Sequence, residues 1–124
     1  MSFDWTAYLR LAEILAATPV PGCDSEASQR TAISRAYYGV VITARNALAS
    51  RGGLPFSKTG KMHGEVADRL QNGTNPSERQ VGFTINAMRR IRNRADYDDM
   101  IKANIDLQSQ LAHLSNVEPA LAAL

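Results

Sequence analysis

The chain has 124 residues, 44% hydrophobic and 21% charged, with a net charge of +2; this is enough for one hydrophobic core and too little for two, so residues 1–124 are expected to form a single domain. Only 6% of the residues are aromatic, while Ala and Leu are plentiful, a balance that favours helices over a β-sandwich or barrel. One cysteine, Cys23, excludes an intramolecular disulfide, and two distant histidines, His63 and His113, argue against a metal site, so neither metal nor cofactor is expected.

In chain order, residues 3–17 read as a first helix, with Ser2 as its N-cap and Trp5, Tyr8, Leu9, Ala12, Leu15 and Ala16 at helical spacing. Thr18-Pro19-Val20-Pro21-Gly22 breaks it. Asp24 or Ser25 then caps a long second helix reaching about Ser50, with a stripe of Ile33, Ala36, Tyr37, Val40, Ala44, Ala47 and Leu48. Arg51-Gly52-Gly53-Leu54-Pro55 ends that helix. A short third helix covers residues 61–71, with Met62, Val66 and Leu70 inward, and Asn72-Gly73-Thr74-Asn75-Pro76 is a loop. A fourth runs from near Ser77 to about Arg94 on Val81, Ile85, Met88, Ile91 and Ala95. A fifth spans 98–115 on Ile101, Ile105, Leu107, Leu111 and Leu114, and Pro119 is placed to end or interrupt it. No strand pattern competes, and the expected architecture is an all-α, four- to five-helix up-and-down bundle. The N-terminal MSFDWTAYLR has no basic region followed by an apolar stretch, and no run reaches the roughly 18 apolar residues of a membrane span. A cytoplasmic location without membrane contact is therefore expected.

Charge is unevenly distributed. Residues 1–23 carry −1, residues 24–94 carry +7 and residues 95–124 carry −4. This asymmetry accommodates an anionic partner, or equally a complementary pairing between neighbouring helices. Four arginines (Arg89, Arg90, Arg92 and Arg94) crowd the end of the fourth helix. Arg92 lies at the edge of the apolar stripe, and Asp96 one turn later is within its reach. Such a pair is either a structural ion pair beside a solvated basic face or a planar phosphate ligand. On the second helix, Arg35, Tyr38, Ile42 and Arg45 form a mixed strip, suited to bases and phosphates or to helix and dimer packing. His63, in Lys61-Met62-His63-Gly64-Glu65, qualifies as a general acid or base only if another group converges on it. Ser57-Lys58-Thr59-Gly60-Lys61 lacks the spacing and preceding strand of a P-loop.

Three stretches together resemble the HEPN family (higher eukaryotes and prokaryotes nucleotide-binding domains). Ala32-Ile33-Ser34-Arg35-Ala36-Tyr37-Tyr38-Gly39 is similar to the family's Ser-Arg-Ala-Tyr-Tyr helix. Lys61-Met62-His63-Gly64-Glu65-Val66 resembles the Lys-x-His-x-x-Val segment of one branch. Arg92-Asn93-Arg94-Ala95-Asp96-Tyr97-Asp98 resembles that branch's Arg-x-x-Ala-Asp-Tyr-Asp ending. The resemblance is strongest over residues 25–100. It implies a HEPN-like bundle that forms a homodimer, often in a defence or toxin–antitoxin type of system, with RNA, a nucleotide, a small nucleotidyltransferase-like protein or a toxin or antitoxin as partner. Active members look like metal-independent endoribonucleases with an Arg-x(4–6)-His motif. Here Arg92 matches the arginine, but the histidine is missing; Tyr97, Asp98 and Asp99 stand where it would fall. An unperturbed tyrosine titrates near 10 and is a poor base at neutral pH. The expectation is therefore binding of RNA or nucleotide through Arg35, Tyr38, Arg45, Arg92 and Asp96, or of a protein partner, without efficient cleavage. Two alternatives stay open: a divergent ribonuclease using Arg92 with Tyr97 or His63, and a pure protein-interaction module.

Overall fold

The computed structural model describes residues 3–52 and 55–124. Five helices follow in order: α1 (Ala7–Ala17), α2 (Ser25–Ser50), α3 (Lys61–Gln71), α4 (Pro76–Tyr97) and α5 (Ala103–Ala122). Among the described residues there is no strand, and no helix is long and apolar enough to cross a membrane.

Local chemistry sets most of the boundaries. The Asp24 carboxylate accepts from the Glu26 N–H at 3.3 Å and opens α2. The Asn75 side chain accepts from the Glu78 N–H at 2.8 Å and opens α4, with Pro76 at its first position, where a missing N–H does no harm. Gly52 follows α2 at φ +79°, a conformation that glycine adopts without penalty. Gly53 and Leu54, expected in the same terminator, lie outside the described residues, as does the expected cap Ser2.

Four boundaries differ from the sequence expectation: the start of the first helix, the end of the fourth, and both ends of the fifth, expected to stop at 115. The first helix begins at Ala7, not at residue 3, because the Asp4 carboxylate holds the Thr6 N–H and hydroxyl in a turn at 3.0 and 2.6 Å. The fourth helix continues past Arg94 to Tyr97. There the Arg30 guanidinium of α2 donates to the carbonyls of Ala95 (2.9 Å), Asp98 (2.7 Å) and Asp99 (3.1 Å), groups that a helix end otherwise leaves without partners. The fifth helix starts five residues later than expected, at Ala103, and runs through Pro119 to Ala122. Proline costs one backbone hydrogen bond in the last turns, and burial of Val117, Ala120 and Leu121 offsets that loss. With this register, Leu107, Gln110, Leu114, Val117 and Leu121 face inward. Ile105, expected in the core, is 50% exposed, because two residues before Leu107 is the opposite side of a helix.

Helix α2 occupies the centre and touches all four others, while α3 packs mainly on α4. Its buried residues therefore ring the helix: Ala32, Ile33, Ala36, Tyr37, Val40, Val41 and Ala44 are fully enclosed. At Gly82 the backbone of α3 comes so close that an added Cβ would sit 2.7 Å from the Gln71 nitrogen and 2.9 Å from the Ala67 oxygen. Gln110 crosses the core, fully buried, and its amide nitrogen donates to the carbonyls of Ile33 (3.2 Å) and Met88 (3.1 Å). One side chain of α5 thus ties α2 to α4.

Candidate anion-binding site

The site is built around the ring of Tyr38, where α2, α3 and α4 meet. Arg35, one turn earlier on α2, places its guanidinium carbon 5.0 Å from the centre of that ring and 4.8 Å from the ring of Tyr8 on α1. Arg92 of α4 lies 5.0 Å from the same Tyr38 ring and 5.5 Å from the ring of Tyr97. Two cations therefore share one aromatic ring. Each such contact contributes about 0.5–2 kcal/mol, and stacking orients a guanidinium without using its N–H donors.

From α3, His63 comes within 5.9 Å of the Tyr38 ring and stacks on the Tyr37 ring at 5.5 Å. The Tyr37 hydroxyl hydrogen-bonds the His63 Nδ1. Burial pushes the Tyr37 pKa upward, outweighing the pull of nearby Arg89 and Arg92, so the phenol keeps its proton at neutral pH. Burial first, then the charges of Arg89 and Arg92, hold the His63 pKa below its ordinary value. The imidazole is therefore neutral at pH 7. In either tautomer the bond to the Tyr37 hydroxyl engages Nδ1 and leaves Nε2 as the ring nitrogen open to a ligand. His63 therefore offers one ring nitrogen, Nε2, beside two arginines.

Arg92 and Asp96 lie one helical turn apart, with Nε and Oδ2 separated by 2.7 Å and side-chain exposures of 13% and 25%. The Nε–H does not point along that line and has no directed hydrogen-bond acceptor. The contact is Coulombic. The one directed bond of the guanidinium runs from Nη1 to the Asn93 Oδ1, at 3.0 Å. Arg35 donates only to the Ser34 Oγ at 3.3 Å and has no carboxylate partner among the described residues.

Of the residues singled out in the sequence, Arg35, Tyr38, His63, Arg92, Asp96 and Tyr97 converge on this one patch. Arg45 does not. It lies seven residues beyond Tyr38, about 10 Å along the helix, and donates twice to the Asn46 Oδ1 at 3.1 Å. Ile42, between them, is buried, so the expected mixed strip is interrupted. Three contributors escaped the sequence reading. Tyr37 looked like core, Tyr8 lies on another helix, and Arg89 lacked any local pattern separating it from its neighbours. Part of the charge asymmetry is spent internally, since Arg94 pairs with Asp106 of α5 at 3.2 Å.

Compared with known proteins, the chain matches no family model, no curated protein and no solved structure. Among the described residues, no three His, Cys, Asp or Glu side chains are grouped to hold a metal ion. Two hollows elsewhere on the surface do not include Arg35, Arg89 or Arg92. One of about 520 Å³ is lined by Pro55, Phe56, Glu65, Asp68, Arg69 and Asn72, and one of about 490 Å³ runs between α1 and α5. The arginine patch is a surface of stacked rings and unspent N–H donors, a form better suited to a phosphate-bearing chain than to an enclosed small molecule.

Proposed function

We propose that this protein is a HEPN-like helical domain of a defence or toxin–antitoxin type of system. It binds the phosphates of RNA or of a nucleotide at Arg35, Arg89 and Arg92 around Tyr38, and does not cleave RNA efficiently. The observation that carries this is the Tyr38 ring shared by two guanidinium groups, one of them without a carboxylate partner. The exposed Tyr97 (72%) offers a face for bases, and the arginines held at Tyr38 supply the phosphate contacts.

The test is fluorescence anisotropy with a labelled single-stranded RNA across a salt series. Each phosphate contact contributes about −0.7 to the slope of log affinity against log salt, so three arginines give a slope near −2. Arg35→Ala and Arg92→Ala should each weaken binding and flatten the slope by about 0.7. Unchanged affinity in both variants refutes the site. No binding even at low salt points to the protein-interaction alternative, in which a neighbouring gene's toxin, antitoxin or nucleotidyltransferase-like product is the partner.

A second reading is favoured by one observation: His63 lies beside the same ring as Arg92. In a divergent ribonuclease, Arg92 would stabilise the phosphorane, with Tyr97 or His63 moving the proton. Incubating a total tRNA pool with the protein in EDTA decides it. Cleavage abolished by Arg92→Ala in a folded variant establishes the enzyme, while cleavage equal to the parent's rules out this mechanism. The homodimer is proposed from the exposed Tyr97, Met100 and Ile105 at the α4–α5 corner, and sedimentation equilibrium tests it.

A further inference from the structure

Arg92 and Asp96 are held very differently. The guanidinium lies against Tyr38 and Tyr97 and bonds Asn93, so three side chains fix its position. The Asp96 carboxylate accepts no directed hydrogen bond from any described residue. It is attached to Arg92 by charge alone and is about twice as exposed, 25% against 13%. We infer that Asp96 is a displaceable counter-ion that occupies the phosphate seat of Arg92 until a ligand drives it out. The inference rests on the proposed anion site.

The physics favours displacement over support. A carboxylate that orients an arginine does so through aligned N–H···O bonds, often two in parallel. Here the Nε–H is off the line to Oδ2 and remains without an acceptor, so Asp96 neutralises Arg92 without steering it. The Nε atom itself is covered from solvent, so a phosphate oxygen first takes the charge and reaches the orphaned N–H as Asp96 leaves. Asp96 is then released to solvent, which its exposed position allows at little desolvation cost. The residue sets a threshold. A ligand that meets Arg92 alone must compete with a tethered carboxylate, whereas one that also engages Arg35 has a second, unopposed cation to hold it. Extended polyphosphate or RNA chains are thereby preferred over single monoanions.

The test compares parent, Asp96→Asn, Arg92→Ala and the double variant by anisotropy with a labelled single-stranded RNA, with inorganic phosphate as competitor. Asparagine keeps the shape and removes the charge. Asp96→Asn should bind the RNA about three- to tenfold more tightly and be competed by less phosphate. In the Arg92→Ala background the same change should have a smaller effect, since only the general loss of one negative charge remains. Weaker binding by Asp96→Asn, or an equal gain in both backgrounds, overturns the inference while leaving the anion site in place. If neither parent nor Asp96→Asn binds RNA or phosphate at low salt, both the inference and the site fall. Circular dichroism and the urea midpoint confirm that each variant is folded, and Asp96→Ser serves as a second neutral replacement.

Discussion

Arg30 and Arg92 both lie against the last turns of α4, and their side chains are similarly buried, at 20% and 13% exposure. What they do with their donors is opposite. Arg30 makes four directed hydrogen bonds, to Glu26 and to the carbonyls of Ala95, Asp98 and Asp99. Arg92 makes one, to Asn93, and is otherwise held by aromatic faces. The first is a helix cap made from a distant side chain. The second is a cation kept in place while its binding capacity is largely unspent. Burial alone therefore does not separate a structural arginine from a binding one; the account of its five N–H donors does.

The contrast breaks most sharply in stability. Arg30→Ala leaves the carbonyls at the end of α4 uncapped and should cost about 2–3 kcal/mol in urea unfolding. Arg92→Ala should cost about 1 kcal/mol, since it removes one directed hydrogen bond and leaves no helix-end carbonyl uncapped. Equal losses would make Arg92 a structural residue and dissolve the comparison. Next in size, Gly82→Ala drives a methyl group into the α3 backbone and should cost about 1–3 kcal/mol. Because α3 carries His63, that substitution should also weaken RNA binding, although it touches no ligand-facing side chain. Arg92→Ala itself should reduce RNA affinity about tenfold, within the range for a charged hydrogen-bonding partner, while Arg30→Lys, which keeps the charge, should leave affinity close to that of the parent.

Smaller and more specific is the response to pH. The folded state holds the His63 pKa below its unfolded value of about 6.5, so between the two values the unfolded chain binds more protons. Stability from this residue is complete above about pH 6.5 and declines as pH falls toward the lowered folded-state value. His63→Gln should flatten the urea midpoint over that interval. RNA affinity should move the other way in the parent, tightening as His63 gains a proton beside Arg92. The smallest effect expected is that of Tyr38→Phe, which keeps the ring face that both arginines use. Its RNA affinity should equal the parent's, whereas Tyr38→Leu should lose about threefold.

The architecture was legible because helix-forming signals are local. Apolar spacing, the Asp24 cap and the Asn72–Pro76 loop place α2, α3 and the start of α4 within a residue or so. Where tertiary contacts intervene, local signals fail. Arg30 prolongs α4 from a helix 65 residues away in sequence, and nothing near Tyr97 announces it. Pro119 is a helix breaker by propensity, yet burial of its neighbours outweighs it. In the site, the Arg92–Asp96 spacing could be read directly as one helical turn. The approach of His63 to Arg92, and of Tyr8 to Arg35, depends on how three helices pack on α2, and no pattern within a single helix encodes it.

The central position of α2 carries a consequence for motion. Arg35 and Tyr38 sit on the one helix that every other helix touches, so its amide hydrogens should exchange only when the whole bundle opens. Helix α1 rests chiefly on α2 and can lift away as a smaller unit, taking Tyr8 from the Arg35 guanidinium. Protection of the α1 amides on adding RNA would then report occupancy of the arginine patch from a helix that supplies only one of its rings.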